Sequence, residues 1–386
     1  MGGPNSSRFI FPLFAIFRIF AAMKLWLIVF LLLPLAGMFY ASWRLWWLLP
    51  TSAVWKVAAV ALLLSGFLGM VFYLRSGVDS FSRPTAIALY EVLTSWPIVL
   101  LYLVLTFLLL DFGRLCGIVP RGWLFNSVKG TAGIALFLVA LLTYGHWNYL
   151  RKVRQPMEIA TKKQLQQPLK IVMLSDLHLG YHNRRAEFSR WVNLINAENP
   201  DLILIGGDIV DISVRPLTDE NMAEEWHRLT APVYACLGNH EYYANSFAAR
   251  QFYKDAGIQL LIDSVVTVKG IQIVGRDDRT NSRRLPLKNL MAHCNPQAFT
   301  ILLDHQPYHL EEAEQCGVDF QLSGHTHYGQ VWPISWIEDL MYEKAFGTHR
   351  RGNTDYYVSS GMGIWGGKFR IGTRSEYIVL TVNNAE

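Results

Sequence analysis

Four apolar runs, each about 18–20 residues long, crowd the first 150 positions of this 386-residue chain, at about 24–43, 55–74, 91–110 and 131–149. Each is long enough to cross a hydrocarbon layer of roughly 30 Å as a helix. Residues 1–150 therefore read as an α-helical transmembrane bundle. Hydrophobic residues make up 52% of the chain, which is high for a soluble protein, and the excess lies in this part. Phe9–Ala22 is apolar but interrupted by Arg18, and it reads as an interfacial helix rather than a fifth span. Trp26, Tyr40, Trp43, Trp46, Trp47, Trp55 and Trp147 gather near the span ends, where amphipathic rings prefer the membrane–water boundary. Lys56 and Glu91 are the charges that come nearest to the runs, at their edges, so the bundle reads as an anchor rather than a transporter.

With four spans, both ends of the bundle face the same side. That side carries Arg8, Arg18, Lys24, Arg75, Arg83, Arg151, Lys152, Arg154, Lys162 and Lys163; the other carries Arg44, Lys56, Arg114, Arg121 and Lys129. The bias of basic residues toward the cytoplasm predicts a multi-pass protein of the cell inner (cytoplasmic) membrane, with the C-terminal half cytoplasmic. Residues 151–167 read as a basic linker, suited either to solvent or to anionic lipid headgroups. The net charge of +5 comes with no stripe of basic and aromatic residues, so no nucleic-acid partner is expected. The four cysteines form no CxxC pair and read as free thiols.

From residue 168 to 386 the pattern changes. Short β-branched runs at Leu169–Leu174, Asp201–Ile205, Pro232–Leu237, Phe299–Leu303 and Asp319–Leu322 alternate with helical spacings at Asn183–Asn196, Met222–Leu229, Phe247–Ala256 and Tyr308–Gln315. Such alternation predicts an α/β domain. Continuous apolar strands predict a sheet covered on both faces, and the later strands predict a second sheet. A polar cluster follows each of five strands: Asp176-Leu177-His178, Gly207-Asp208, Gly238-Asn239-His240-Glu241, Asp304-His305 and Gly324-His325-Thr326-His327. Ligands gather beyond the carboxyl ends of strands in such sheets, so five loops can converge on one rim. Asp176, Asp208, Asn239 and five histidines suffice for two divalent cations with one imidazole to spare, and an acid beside two cations suits cleavage of a phosphate ester.

The ordered set of clusters resembles the calcineurin-like metallophosphoesterase superfamily, in particular its bacterial membrane-anchored subgroup, over about residues 169–383. The resemblance implies a four-layer αββα sandwich and two divalent metal ions, with imidazole ligands suiting manganese, iron or zinc. It implies that Asp176, His178 and His327 hold one ion, that Asn239, His305 and His325 hold the other, and that Asp208 bridges them. His240 would then donate a proton to the leaving oxygen, oriented by Asp211. Glu241 is read as structural, and His182 as an exposed loop residue. Arg276, Lys368 and Arg370 are candidates for holding substrate phosphate, the last two in a Gly-rich segment, Ser359–Arg370, that resembles one closing near the site. Val331–Thr348 reads as one long aromatic connection that dips into the bilayer, cradles an acyl chain or folds over the domain as a lid.

The expected function is a phosphodiesterase-type hydrolase acting on a phosphate ester, with a lipid phosphodiester or pyrophosphate fitting the anchor. The alternatives are a UDP-2,3-diacylglucosamine pyrophosphatase-like enzyme of lipid A synthesis, a general or cyclic-nucleotide phosphodiesterase, and a metal-binding scaffold without activity. The expected partners are the bilayer and the substrate.

Overall fold

Alternate residues of a strand face opposite sides of its sheet, so a strand apolar at every position needs cover on both faces. Leu169–Leu174 (β2) meets that condition from Ile171 onward. Ile171 and Met173 enter one apolar cluster, and Val172 and Leu174 enter another. Leu202–Ile205 (β3) repeats the division, with Leu202 and Leu204 on one face and Ile203 and Ile205 on the other. Each such side chain is fully buried, a gain of roughly 1.5–3 kcal/mol per large aliphatic residue.

The computed structural model describes residues 32–163 and 165–385. They form two units, one of residues up to 76 with Leu93–Leu141, the other of Gly77–Val92 with residues from Leu142 onward. The first unit contains α1 (Leu33–Leu48), α2 (Ala53–Ser76), and parts of α3 (Arg83–Leu115) and α4 (Val128–Leu150). Among the described residues, α2, α3 and α4 are long and apolar enough to cross a membrane. The first expected span lies partly outside the described residues, and the segment at Phe9–Ala22 wholly outside. Arg44, counted from sequence among the basic residues outside the spans, is buried and pairs with Asp111 at 3.1 Å. Helices α1 and α3 run past the ends of the apolar windows and carry both charges inside the unit.

The second unit holds two six-stranded sheets. One has the order β1 (Lys152–Thr161), β12 (Ser375–Asn384), β2, β3, β4 (Val233–Ala235), β5 (Gln259–Leu260). The other has the order β10 (Gly347–Arg351), β11 (Thr354–Val358), β9 (Phe320–Ser323), β8 (Thr300–Leu303), β7 (Ile271–Gly275), β6 (Ser264–Val268). An apolar cluster that includes Met173, Leu204, Ile273, Ile301 and Leu322 lies between the sheets. A second cluster packs helix α5 (Arg185–Ala197) and its neighbours on the outside of the first sheet. A third packs the helices Leu287–Met291 and Leu310–Gln315 on the outside of the other. These are the four layers of an αββα sandwich. In it β2, β3 and β4 run parallel, as do β7, β8 and β9, so their carboxyl ends share a rim.

Two stretches differ from the sequence reading. Lys152–Thr161, inside the expected basic linker, is the edge strand β1, paired in parallel with β12 over its whole length. Its alternation of exposed Arg154 and Glu158 with half-buried neighbours is that of a strand covered on one face. Val331–Thr348 is not one long connection. It contains the helix Ile334–Met341 and the start of β10.

Candidate metal centre

Each expected ligand stands just beyond a strand, and five of the seven sit on a backbone bent sharply to turn them inward. Asp176, His178, Asp208, His325 and His327 have φ between +44° and +72°. This left-handed region is disfavoured for residues with a Cβ, at roughly 1 kcal/mol or more each, and such strain concentrates at functional sites. The glycines in the clusters give the loops room. A Cβ on Gly238 would lie 2.1 Å from Oδ1 of Asp208, and one on Gly324 would lie 1.8 Å from Oγ of Ser175.

The donor atoms converge. Nε2 of His178 lies 2.9 Å from Nε2 of His327, and the latter is 3.5 Å from Oδ1 of Asp176. Oδ1 of Asn239 is 2.8 Å from Nδ1 of His325 and 3.2 Å from Nε2 of His305. Oδ2 of Asp208 stands between the two groups, 3.6 Å from Nε2 of His178 and 3.1 Å from Nε2 of His305. The structure thus brings together all seven residues expected from sequence as ligands. Donor atoms of His178, Asp208 and His240 also lie within 4.8 Å of one another, so proximity alone would admit His240 as a ligand.

The chemistry of this donor set fits cations. Asp176, Asp208 and Asp211 are buried together. Burial opposes a charge on His178, but its hydrogen bonds with Asp176 and Asp211 outweigh that and push its pKa up to about 10. The cluster therefore demands positive charge. His325 and His327 respond in the opposite direction. Burial lowers His325 to about 4 and holds His327 well below its ordinary value, which leaves their lone pairs free to bind. Facing imidazole nitrogens and buried carboxylates are the arrangement that divalent ions satisfy.

A surrounding shell fixes these groups. Nδ1 of His178 lies 3.2 Å from Oδ1 of Asp211, and Nδ1 of His240 is 3.4 Å from the same oxygen. Nδ1 of His240 is also 3.2 Å from the Asp211 carbonyl oxygen. Burial alone would raise the Asp211 pKa, but the hydrogen bonds with His178 and then His240 hold the carboxyl below the usual range. Its other oxygen, Oδ2, accepts a hydrogen bond from the hydroxyl of Tyr90 at 2.5 Å. Glu241 is fully buried and accepts from the amides of Gly238 (2.7 Å), Asp208 (3.2 Å) and Val210 (2.9 Å) and from the hydroxyl of Tyr253 (2.9 Å). The Gly-rich segment closes over the first cluster, where the amides of Met362 and Gly363 donate to the carbonyls of Ser175 and Asp176.

Other expected positions differ. Arg370 is fully buried, and its guanidinium donates to the carbonyls of His327 (2.6 Å), Ser360 and Gly363. It braces a ligand loop and does not face substrate. Lys368 is paired with Glu187 at 2.7 Å, and Arg276 with Asp304 and Glu312 at 3.2 and 2.7 Å. Both are neutralised within the fold. Arg276 lines a separate cavity of about 380 Å³ with Arg279, Arg284 and His309. His182 is buried, not an exposed loop residue: its Nε2 donates to the carbonyl of Ile364 at 2.7 Å, and burial lowers its pKa to about 4. Tyr90 was missed because it sits at the edge of a predicted span, 121 residues before Asp211, and carries no motif.

Comparison with known proteins matches residues 169–329 to the family described as calcineurin-like phosphoesterase. A metallophosphoesterase of Campylobacter jejuni is 29% identical over 254 residues, 64% of this chain and 68% of that protein. One of Helicobacter pylori is 30% identical over 253 residues, 63% of this chain and 68% of its own length. A transmembrane protein with metallophosphoesterase domain from Danio rerio is 30% identical over 315 residues, 74% of this chain and 72% of that protein.

Proposed function

Because the chain belongs to the calcineurin-like phosphoesterase family, we propose that it is a membrane-anchored phosphohydrolase of the phosphodiesterase type, working at the cytoplasmic face on a lipid phosphodiester or pyrophosphate. The family hydrolyses phosphate esters with two divalent metal ions, and the His/Asp clusters described above could bind them. Such ions, when bound, supply an activated water and neutralise the phosphoryl oxygens. Asp176, His178 and His327 would hold one, Asn239, His305 and His325 the other, with Asp208 available to both. His240 donates a proton to the oxygen that leaves phosphorus, and Asp211 orients it.

The observation that carries this reading is the single carboxylate oxygen of Asp211 that faces both His178 and His240. One anion thereby couples the ligand cluster to the proton donor. Lipid as the substrate class has separate support. The helix Ile334–Met341 exposes Trp336 at 61% and Leu340 at 88%. It follows Val331 and Trp332, which pair with Ile371, and Ile371 abuts Gly145 near the end of α4. An apolar surface therefore begins beside the end of a candidate span. The cytoplasmic face is supported by the ten-to-five distribution of basic residues. It is also supported by the α2–α3 connection, since Asp79 accepts from Tyr181 and Ser213 of the catalytic domain.

The test is hydrolysis of bis(4-nitrophenyl) phosphate and of UDP-2,3-diacylglucosamine by the solubilised, Mn²⁺-loaded protein. Failure on both would remove the enzymatic reading and leave the scaffold. His240→Ala should keep both metals while kcat falls about 10²–10⁴-fold, the span of general acid–base catalysis; loss of metal instead would make His240 a ligand.

A further inference from the structure

Asp211 is held from two directions by one short stretch of chain, residues 77–92, that runs from the end of α2 into the first turns of α3. Tyr90 is fully buried in the catalytic unit. Its hydroxyl lies 2.5 Å from Oδ2 of Asp211, within the range of a charge-assisted bond to a carboxylate. Its ring stacks on the His182 imidazole, with centroids 5.0 Å apart and planes 18° from parallel. Asp79, earlier in the stretch, accepts from Oγ of Ser213 at 2.7 Å and from the hydroxyl of Tyr181 at 2.5 Å. The guanidinium of Arg215 donates to the carbonyls of Asp79 and Phe81. The loop that carries Asp211 is therefore clamped just after it, and its carboxylate is clamped directly.

The neighbours of Oδ2 explain why the hydroxyl matters. Nδ1 of His182 lies 3.9 Å from Oδ2, but Nε2 of that ring already donates to Ile364, so the neutral ring presents only a lone pair. A buried carboxylate oxygen facing that lone pair would turn away unless another donor held it. Rotation of the carboxylate would withdraw Oδ1 from Nδ1 of His240.

We propose that Tyr90 is a positioning residue of the catalytic centre, whose hydroxyl fixes Oδ2 of Asp211 and so aims Oδ1 at His240. The proposal rests on the proton-donor reading of His240. It makes the stretch that leads from one candidate span into the first turns of the next a working part of the hydrolytic site.

Tyr90→Phe in the full-length, Mn²⁺-loaded protein removes the hydroxyl and keeps the stacked ring. Two diesters separate orientation of a proton donor from general damage. The phenol leaving diphenyl phosphate needs a proton far more than the nitrophenol leaving bis(4-nitrophenyl) phosphate. The expected result is a fall in kcat of about tenfold or more on diphenyl phosphate and under about threefold on the nitrophenyl diester, with KM and metal content unchanged. Asp211→Asn should be no worse when combined with Tyr90→Phe, since both remove one interaction. Equal losses on the two diesters, loss of metal, or additive losses in the double variant would overturn the proposal. Wild-type protein inactive on both diesters would instead sink the phosphohydrolase reading, and the role of Tyr90 with it.

Discussion

Nδ1 of His305 lies 2.7 Å from the carbonyl oxygen of Gly206, in the loop that carries Asp208. That contact makes Nδ1 the protonated nitrogen and leaves the lone pair on Nε2, which faces Asp208 and Asn239. The tautomer needed for binding a cation is thus set by the main chain of a neighbouring ligand loop. His305→Gln should lower the metal content measured by elemental analysis from two ions toward one per chain, with activity down about 100-fold or more. Full occupancy in that variant would remove His305 from the ligand set.

Chelation should cost stability as well as activity. Asp176, Asp208 and Asp211 are buried together, and five ligands sit on strained backbone that bound ions help to hold. Treatment with EDTA should lower the thermal midpoint of the solubilised protein by about 5–10 °C, as expected for a few kcal/mol of linked binding in a domain of this size, and added Mn²⁺ should restore it. An unchanged midpoint by scanning fluorimetry would count against resident metals.

Glu241 accepts hydrogen bonds from three amides of two ligand loops. Glu241→Ala leaves those buried donors without a partner. It should destabilise the protein by about 3 kcal/mol or more, at 1–3 kcal/mol per unsatisfied group, seen as a lower midpoint in thermal unfolding followed by circular dichroism. A midpoint within a degree of wild type would mean that the loops hold themselves.

Glu338, on the helix Ile334–Met341, is raised to about 7, chiefly by burial and then by the neighbouring Asp339. A carboxyl whose folded pKa exceeds its unfolded value near 4.3 favours folding when protonated. That contribution is complete at low pH and is lost as pH rises through the mid-fours to about 7. Glu338→Gln should therefore leave the midpoint at pH 4 nearly unchanged and raise it at pH 8. Identical pH profiles for the two proteins would show that the carboxylate reaches water.

The parts legible in sequence were those written locally. Each ligand cluster follows its strand directly, so chain order gave both the α/β frame and the convergence of Asp176, Asp208, Asn239, His305 and His325. The parts that were not legible depend on partners distant in the chain. Strand β1 carries Lys152, Arg154 and Glu158 and reads as a linker until β12, more than 200 residues later, supplies its hydrogen bonds. Arg370 and Lys368 look like phosphate binders in a Gly-rich loop until the carbonyl of His327 and the carboxylate of Glu187 are seen to occupy them. His182 has the composition of a surface loop, and it is buried by partners distant in the chain, the ring of Tyr90 and the carbonyl of Ile364.

Only Arg151 separates the last residue of α4 from the first of β1, and β1 is locked along ten residues to β12. A chain joined in this way has no slack. A catalytic domain on a long tether can sweep a volume and catch substrates that diffuse in solution. One joined without a tether to a helix that enters a membrane would meet its substrates in a two-dimensional search. Its substrates would then be selected by whether they partition to a membrane as much as by their chemistry.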